Sequence, residues 1–478
     1  MASARDGTGG PATPARWERS ENIRTQFLLD ESQLPRAWYN IKADLPVPQP
    51  AALHPQTLQP LTDEFLEPLF PPGLLAHENT TERFVEIPGP IRDVYRLWRP
   101  TPLRRAVRLE RSLDTPAHIY YKYEGASPAG SHKLNAAVPQ AFFNKQAGTK
   151  ALVTGTGAGQ WGTAMAMACS FFDVPLEVFM VKVSHAQKPY RRIAMEHFGA
   201  QVHASPTTST RAGRAVLARS PGHPGSLGVT LSETLETVRA SAGGKKYAAG
   251  SGLAHVLMHQ TVIGQEALLQ LEMAGEYPDF VIACAGGGSN FGGFAFPFLH
   301  RNLTGAASAK IIAVEPAACP SMTRGAYTFD WADVAGVAPV VKMHTLGHSF
   351  VPAEIHAGGL RYHGMAASVS ALVDHGDVEA RAVKQLETFA AAAQFSRAEG
   401  IIPAPESAHA IRVAIDEALK CKQSGEKKVI AFNLSGHGHF DMAAFHAYQR
   451  GELRDDEYPA EKVTDALASL PRLPPDAS

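Results

Sequence analysis

The sequence predicts an α/β protein whose strands are mainly parallel. From residue 118 onward, short runs rich in β-branched and aromatic residues alternate with helical stretches, as in successive strand–helix–strand units. Several of these runs end in glycine-rich turns that lead directly into a helix. A chain of 478 residues also exceeds the size at which single hydrophobic cores stop growing, so we expect two domains. The predicted strands are HIYYKYE, KALVTG, LEVFMV, FVIACAGG, KIIAVEP and KKVIAFNLSG, with QVHAS at residue 201 as the weakest.

Composition and charge are those of a globular protein and exclude several kinds of partner. The 45 Lys and Arg residues nearly balance the 46 Asp and Glu residues, for a formal net charge of -1, so neither nucleic acid nor a membrane surface is expected. No apolar run has membrane length, and no apolar leader stands at the N-terminus. The four cysteines match neither a disulfide framework nor a CxxC metal site, which indicates a reduced, cytoplasmic protein. Residues 1–16 are rich in Gly, Ala, Pro and Thr, and we expect them to be disordered.

One glycine-rich turn has the pattern of a phosphate-binding loop. Gly286, Gly287 and Gly288 follow the apolar run FVIAC, and Ser289 and Asn290 lead into a stretch that could form a helix. Glycines let the backbone aim successive N–H groups at one point, and the positive end of a following helix adds to their field. The turn lacks the Lys-Ser/Thr ending of a nucleoside triphosphate loop. We therefore expect a phosphate group of another kind, with a ligand-free turn as the alternative.

A second turn contains GxGxxG at Gly157, Gly159 and Gly162. As a dinucleotide fingerprint it would require an acidic residue at the end of the next strand. That strand, LEVFMV, ends instead at Lys182, which disfavours NAD. The turn could instead present its backbone N–H groups to a substrate carboxylate.

Lys133 stands at the start of a predicted helix, just after Ser131, which is suited to cap that helix. The positive end of a helix lowers the pKa of a nearby lysine, as a Schiff-base lysine requires. The local pattern alone is more typical of a solvated lysine.

Together these segments resemble the tryptophan synthase beta chain family, and most closely its second, stand-alone form. The resemblance extends from Arg99 to about Asp441 and implies a fold-type II pyridoxal-phosphate enzyme, a lyase with the cofactor between two α/β domains. The motifs that carry it are RPTPL (99–103), EGASPAGSHKLNAA (124–137), TGAGQWG (156–162), GGGSN (286–290), HAGGLRYHGMA (356–366), EGIIPAPESAHA (399–410) and NLSGHGHFD (433–441).

On this basis we predict four regions. Residues 1–95 would form an N-terminal extension, and residues 461–478 a tail. Residues 96–250 would form the α/β domain with the cofactor lysine, and residues 251–460 the α/β domain with the phosphate loop.

The resemblance implies a role for each candidate site residue. Lys133 would hold pyridoxal 5'-phosphate as a Schiff base and move the α-proton of the substrate. Ser435, a neutral partner for the pyridine nitrogen, would favour elimination at Cβ over transamination. His132 and the loop Gly286, Gly287, Gly288, Ser289 and Asn290 would hold the phosphate, Asn135 would contact the phenolic oxygen, Glu399 would lie beside the ring, and Thr156, Gly157, Ala158, Gly159 and Gln160 would bind the substrate carboxylate.

Two positions depart from the pattern of ordinary beta chains. The family's active-site glutamate, which activates indole, stands just before TGAGQ, where this chain has Gly155. A glycine leaves a gap there and cannot accept a proton. At a second position, ordinary beta chains have an aspartate, whereas this chain has Arg361. The stand-alone form also has an arginine there. Since arginine suits a phosphate, the resemblance favours O-phosphoserine over serine as the donor, unless Arg361 is a solvated loop residue.

The predicted activity is β-replacement through an aminoacrylate, with serine or O-phosphoserine and indole giving L-tryptophan. Because of Gly155, a non-indole nucleophile that gives a non-standard amino acid stays open, as does a serine/threonine dehydratase-type lyase. A catalytically idle cofactor-binding protein is disfavoured, because Lys133, Gln160 and Ser435 are all present. The resemblance implies a cytoplasmic homodimer without an alpha-type subunit. His344 and His348 have the spacing of a zinc pair, but Gly347 disfavours the helix that would align them, and no metal site is predicted.

Overall fold

The structure is a computed structural model that describes residues 23–456, 458 and 460–473. The predicted disorder of residues 1–16 lies outside these residues. The strands are β1 Gln26–Phe27, β2 Ala37–Tyr39, β3 Phe84–Glu86, β4 Leu103–Arg105, β5 His118–Tyr123, β6 Ala151–Thr156, β7 Leu176–Val181, β8 Gln201–Ser205, β9 Lys245–Tyr247, β10 Phe280–Cys284, β11 Lys310–Pro316, β12 Ala326–Trp331, β13 Val340–Thr345, β14 Glu379–Val383 and β15 Val429–Leu434. The α-helices are α1 Asp63–Leu66, α2 Pro72–Asn79, α3 Gly89–Tyr95, α4 Val107–Leu113, α5 Leu134–Gln146, α6 Gln160–Phe172, α7 Lys182–Gln187, α8 Pro189–His197, α9 Arg211–Arg219, α10 Leu227–Ala240, α11 Ala254–Gln260, α12 Val262–Ala274, α13 Ser289–Leu303, α14 Ser321–Arg324, α15 Ala367–His375, α16 Gln385–Glu399, α17 Ser407–Ser424, α18 Met442–Gln449 and α19 Ala460–Leu467.

Two sheets organise the molecule, and their central strands are parallel. The larger sheet has the order β1-β4-β5-β15-β10-β11-β14, in which β5 to β14 are parallel and β1 and β4 add antiparallel pairs at one edge. The smaller sheet has the order β8-β7-β6-β9 and is parallel throughout. Strands β5, β10 and β15 are buried along most of their length, as expected for parallel strands covered by helices on both faces. The α/β prediction is confirmed, and QVHAS forms the edge strand β8.

The sheets do not follow the predicted boundary at residue 250. Strand β5 lies within the predicted domain 96–250, yet it pairs along its whole length with β15 in the larger sheet. The smaller sheet contains residues 151–247. Along the chain, the first strands of the larger sheet precede the smaller sheet, and the remaining strands of the larger sheet follow it. The domain that carries Lys133 is therefore interleaved with the domain that carries the phosphate loop.

Two segments contain more regular structure than the sequence indicates. The extension forms α1, α2, α3 and the ribbon β2–β3, and its Trp38, Leu74 and Ile87 are completely buried. The stretch 317–375 contains the hairpin β12–β13 and α15. No helix within the described part of the chain has the length and apolarity that a membrane crossing requires.

Candidate active site

A cavity of about 200 Å³ opens where strands from both sheets end. The carboxyl ends of β6, β10 and β15 all reach it, through Thr156, Cys284 and Ser435. Crevices at the carboxyl ends of parallel strands are the usual binding sites of such folds, because the loops and helix N-termini that follow the strands converge there. The cavity brings together most of the predicted site residues.

Lys133 lies in the cavity and has no hydrogen-bond partner for its Nζ among the described residues. Enclosure by protein lowers the pKa of its amine from 10.5 to about 8, while Glu406 and Cys284 oppose this shift. Helix α5 begins directly after Lys133, which is itself the helix cap. The Ser131 hydroxyl is buried without a partner, so the prediction that it caps the helix is wrong.

Backbone hydrogen bonds between distant segments hold Lys133 beside the end of β15. The N–H of His132 donates to the Ser435 carbonyl at 2.9 Å, and the N–H of His437 donates to the Gly130 carbonyl at 3.0 Å. The bridge Ser131–Gly436 completes this antiparallel contact. Lys133 and Ser435, which are distant in sequence, therefore face one cavity.

The phosphate loop is a turn whose N–H groups are available to a ligand. The N–H groups of Gly286, Gly287 and Gly288 find no partner among the described residues, and Gly288, with φ of 99°, caps helix α13. The Nε2 of His132 is also buried without a partner, and burial lowers the pKa of this imidazole to about 3. Unpaired buried donors are costly unless a ligand pairs with them. This arrangement fits a phosphate group, and Ser289 and Asn290 also line the cavity.

Ser435 presents a neutral hydroxyl to the cavity. Its Oγ shares a hydrogen bond of 2.7 Å with the Oγ of Ser407 and lies 3.8 Å from the Sγ of Cys284. Burial raises the pKa of the Cys284 thiol to about 12, so this thiol carries a proton. In the described part of the chain no carboxylate hydrogen-bonds to the Ser435 hydroxyl, which suits a pyridine nitrogen that stays unprotonated.

The carboxylate turn leads from β6 into α6. Thr156, Gly157, Ala158 and Gln160 line the cavity, whereas Gly159 caps the helix with φ of 94° and packs behind it against Arg191. The first N–H groups of α6 lack helical partners and can bind an anion.

The segment Gly358–Gly359 closes over this turn. A side chain at Gly358 would meet the Cβ of Ala158 at 2.9 Å, and one at Gly359 would meet Gln160 and Glu406 at 3.0 Å. The two glycines therefore permit a close approach of three loops.

Gly155 lines the cavity as predicted, but no gap lies on its side-chain face. A Cβ there would lie 2.5 Å from the Oγ1 of Thr230. The space that a side chain would need is already filled.

Asn135 is not brought to the cavity. Its amide donates to Glu124 and Gln260, each at 3.1 Å, and its oxygen accepts from Arg99 at 2.8 Å. The prediction that it contacts the phenolic oxygen of the cofactor is thereby corrected, because a helical residue two positions after Lys133 faces about 200° away from it.

Glu399 is likewise not brought to the cavity, and Glu406 of the same motif lines it instead. The carboxylate of Glu399 accepts from the N–H of Leu109 at 2.9 Å. Glu406 accepts from the N–H of Gly359 at 2.8 Å, and its Oε2 is buried without a partner. Glu406 is the single carboxylate that lines the cavity within the described residues. The sequence did offer a signal for Glu406, because the motif EGIIPAPES contains a second glutamate seven residues after Glu399.

Arg361 is buried beside the cavity wall but does not line it, although Leu360 and Tyr362 do. Its Nε has no partner, and burial lowers the pKa of the guanidinium. It is therefore not a solvated surface residue.

The two histidines weighed as a zinc pair lie in different surroundings. His348 pairs with Asp330 at 2.8 Å, whereas the Nδ1 of His344 is buried without a hydrogen-bond partner. Within the described ranges no group of three or more His, Cys, Asp or Glu residues is arranged to hold a metal ion.

Apolar side chains line the rest of the cavity, and sequence reasoning missed them. They come from the extension, from α10 and from the hairpin region, and among them are Leu66, Leu69, Phe70, Leu227, Leu231, Leu235, Pro339, Val341 and Met343. A largely apolar cavity with a few convergent polar groups is typical of a small-molecule site.

Comparison with known proteins agrees with this geometry. Residues 94–436 match the family model described as pyridoxal-phosphate dependent enzyme. A tryptophan synthase beta chain 2 of Aeropyrum pernix is 54% identical over 444 residues, which cover 92% of this chain and 99% of that protein. The protein of the same name from Aquifex aeolicus is 54% identical over 90% of this chain and 100% of its own length.

Solved structures support the fold at lower identity. A fungal L-serine ammonia-lyase from Rhizomucor miehei superposes with a TM-score of 0.54 at 16% identity, over 74% of this chain and 98% of that one. A threonine deaminase from T.th. gives a TM-score of 0.53 at 18% identity, over 73% of this chain and 97% of that one. The chain therefore belongs to the pyridoxal-phosphate dependent enzymes of fold type II and, among them, to the tryptophan synthase beta chain family.

Proposed function

We propose that this enzyme replaces the β-substituent of a serine-type amino acid with indole and so forms L-tryptophan. The observation that carries the proposal is the single cavity in which Lys133, the open phosphate loop, neutral Ser435 and the carboxylate turn meet an apolar chamber. A pyridoxal-phosphate lyase needs the first four features, and an apolar aromatic acceptor needs the last.

Pyridoxal phosphate would be held by Lys133 and by the phosphate loop with His132. When bound, this cofactor withdraws electrons from the substrate Cα, which permits loss of the α-proton and then of the β-substituent. The neutral hydroxyl of Ser435 would face the ring nitrogen and leave it unprotonated. The unpaired N–H groups of the loop and the buried Nε2 of His132 support this placement.

The chain's own groups would orient the amino acid and move its protons. The N–H groups of Thr156 to Gln160 would bind its carboxylate. The amine of Lys133, with its pKa lowered to about 8, would take the α-proton and later return it, since a base works best when its pKa is near the working pH. Glu406 would hold Gly359 over the turn through the bond to its N–H. Closure of these loops would exclude water and align the reacting atoms.

Serine is the donor that the geometry supports better. The guanidinium of Arg361 does not line the cavity, so no cation is in place for a phosphate leaving group at that position. Comparing turnover of L-serine with turnover of O-phospho-L-serine checks this choice. We also propose a cytoplasmic homodimer that acts without an alpha-type subunit, as the stand-alone form implies.

The direct test uses the full-length protein loaded with pyridoxal phosphate. Incubation with L-serine and indole should give tryptophan, detected by chromatography, and Lys133→Ala should abolish it. Incubation with L-serine alone measures pyruvate and ammonia. Pyruvate release that indole does not suppress, without tryptophan, would show a dehydratase and contradict the proposal.

A further inference from the structure

Gly155 and Thr230 form a packed pair in the cavity wall. Gly155 lies in β6, and Thr230 stands directly behind it on α10. A Cβ at position 155 would lie 2.5 Å from Oγ1 and 3.0 Å from Cβ of Thr230, closer than packed atoms tolerate. Thr230 is completely buried, and its hydroxyl donates to the carbonyl of Leu227 at 2.7 Å. The threonine is thus fixed in place, and no side chain at 155 fits beside it.

This pair leaves the adjacent cavity wall without an acid. The residues that follow along α10 and line the cavity are Leu231 and Leu235. Glu406, the single carboxylate lining the described cavity, belongs to another segment, where one of its oxygens accepts from the N–H of Gly359 and the other has no partner. The wall formed by Gly155, Thr230 and these two leucines therefore offers no carboxylate to an incoming ring.

We propose that the missing side chain at Gly155, a position that Thr230 keeps closed to larger residues, determines acceptor selectivity and makes the reaction favour electron-rich indoles. The inference rests on the proposed function. In the coupling step the donor's C–O bond breaks and the leaving group departs with its electron pair. The electron pair of indole C3 forms the new bond to Cβ, the ring nitrogen bears positive charge, and the C3 proton then passes to the hydroxide that left serine, which is released as water.

The positive charge on the ring is the reason for the selectivity. A carboxylate beside the ring would stabilise that charge, especially in an apolar chamber where electrostatic interactions are strong. Without a carboxylate, the substituents of the ring itself must stabilise it. Electron-donating substituents should therefore accelerate this enzyme more than they would accelerate one with an acid at position 155.

The test compares four proteins: the wild type, Thr230→Ala, Gly155→Glu and the double variant. Each is loaded with cofactor and assayed with L-serine and 5-methoxyindole, indole or 5-fluoroindole. We expect kcat/KM of the wild type to be roughly tenfold or more higher for 5-methoxyindole than for 5-fluoroindole. In the double variant this ratio should fall by roughly threefold or more, because the new carboxylate stabilises the ring charge. Thr230→Ala alone, the matched control, should keep the wild-type ratio.

Thermal unfolding gives a readout that is independent of activity. Gly155→Glu alone should unfold at a lower temperature than the double variant, since only the double variant has space for the new side chain. Equal melting temperatures for these two proteins, or equal selectivity ratios for the wild type and the double variant, would overturn the inference. If no indole yields product although L-serine changes the visible spectrum of the loaded enzyme, the proposed function itself fails. Product formation with a flat ratio overturns the selectivity proposal alone.

Discussion

Replacing Glu266 with glutamine would remove one of four charges from a completely buried cluster. Arg99, Lys122, Glu124 and Glu266 have side chains with 0% exposure, and their two positive and two negative charges balance. Glu266 accepts from Arg99 twice at 2.9 Å, from Lys122 at 2.7 Å and from the N–H of Thr101 at 3.1 Å. Glutamine keeps one oxygen and places an NH₂ group against cations. The variant would therefore bury an uncompensated positive charge.

Breaking a buried ion pair by removing one partner costs about 3–5 kcal/mol, and we expect a loss in this range from the free energy of unfolding. Urea unfolding followed by tryptophan fluorescence measures it. Glu196→Gln is the matched control, because the pair of Glu196 with Arg192 is exposed and one helical turn apart and contributes about 0.3–0.5 kcal/mol. If the two variants lose stability equally, the buried charges of this cluster do not contribute to stability as reasoned here.

Three further predictions concern the cofactor site and pH. Addition of pyridoxal phosphate to apoprotein should produce visible absorption faster as pH rises through about 8, since the neutral amine of Lys133 reacts; in Glu406→Gln the midpoint should be lower, because the Glu406 charge raises that pKa, and an unchanged midpoint would argue against this. Burial lowers the pKa of His409 from 6.5 to about 4, so between these two pH values the unfolded chain binds a proton that the native protein does not. As the pH is lowered from 6.5 to 4, the free energy of unfolding should therefore fall more in the wild type than in His409→Gln. Parallel curves of unfolding free energy against pH would contradict this. In Gly286→Ala the new Cβ would press against the carbonyl oxygen of Gly359 and lie 2.9 Å from the Cα of Leu360. Cofactor affinity measured by titration should therefore fall, and the free energy of unfolding should drop by about 1–3 kcal/mol. Gly222→Ala, whose Cβ would have nothing within 4 Å, should leave both quantities unchanged.

Local patterns in the sequence were sufficient to predict the α/β class and the two glycine-rich turns, because both depend on residues close together in the chain. The roles of Lys133 and Ser435 came from the family resemblance instead. Such patterns do not show which distant segments of the chain pair with each other. The interleaving of the two domains depends on β5 meeting β15, which lies near the other end of the chain, and periodicity contains no information about that partner.

Glu399 was placed wrongly for a related reason. Glu399 and Glu406 belong to one motif, and only the packing of α16 against α4 and of α17 against β15 decides which carboxylate reaches the cavity. Asn135 could have been excluded from helical geometry alone, because it points away from Lys133. The filling of the space beside Gly155 by Thr230 could not, since these residues are far apart in sequence and meet only after α10 packs on β6.

The family match begins at residue 94, yet Leu66, Leu69 and Phe70 line the cavity from before that point. The extension thus shapes part of the cavity, together with α10 and the hairpin region, but it contains none of the residues that would hold the cofactor. Changes to the extension can alter the size and shape of the chamber without disturbing Lys133 or the phosphate loop. Substrate range in this scaffold is therefore open to modification independently of its chemistry, and the N-terminal segment is the natural place to redesign it.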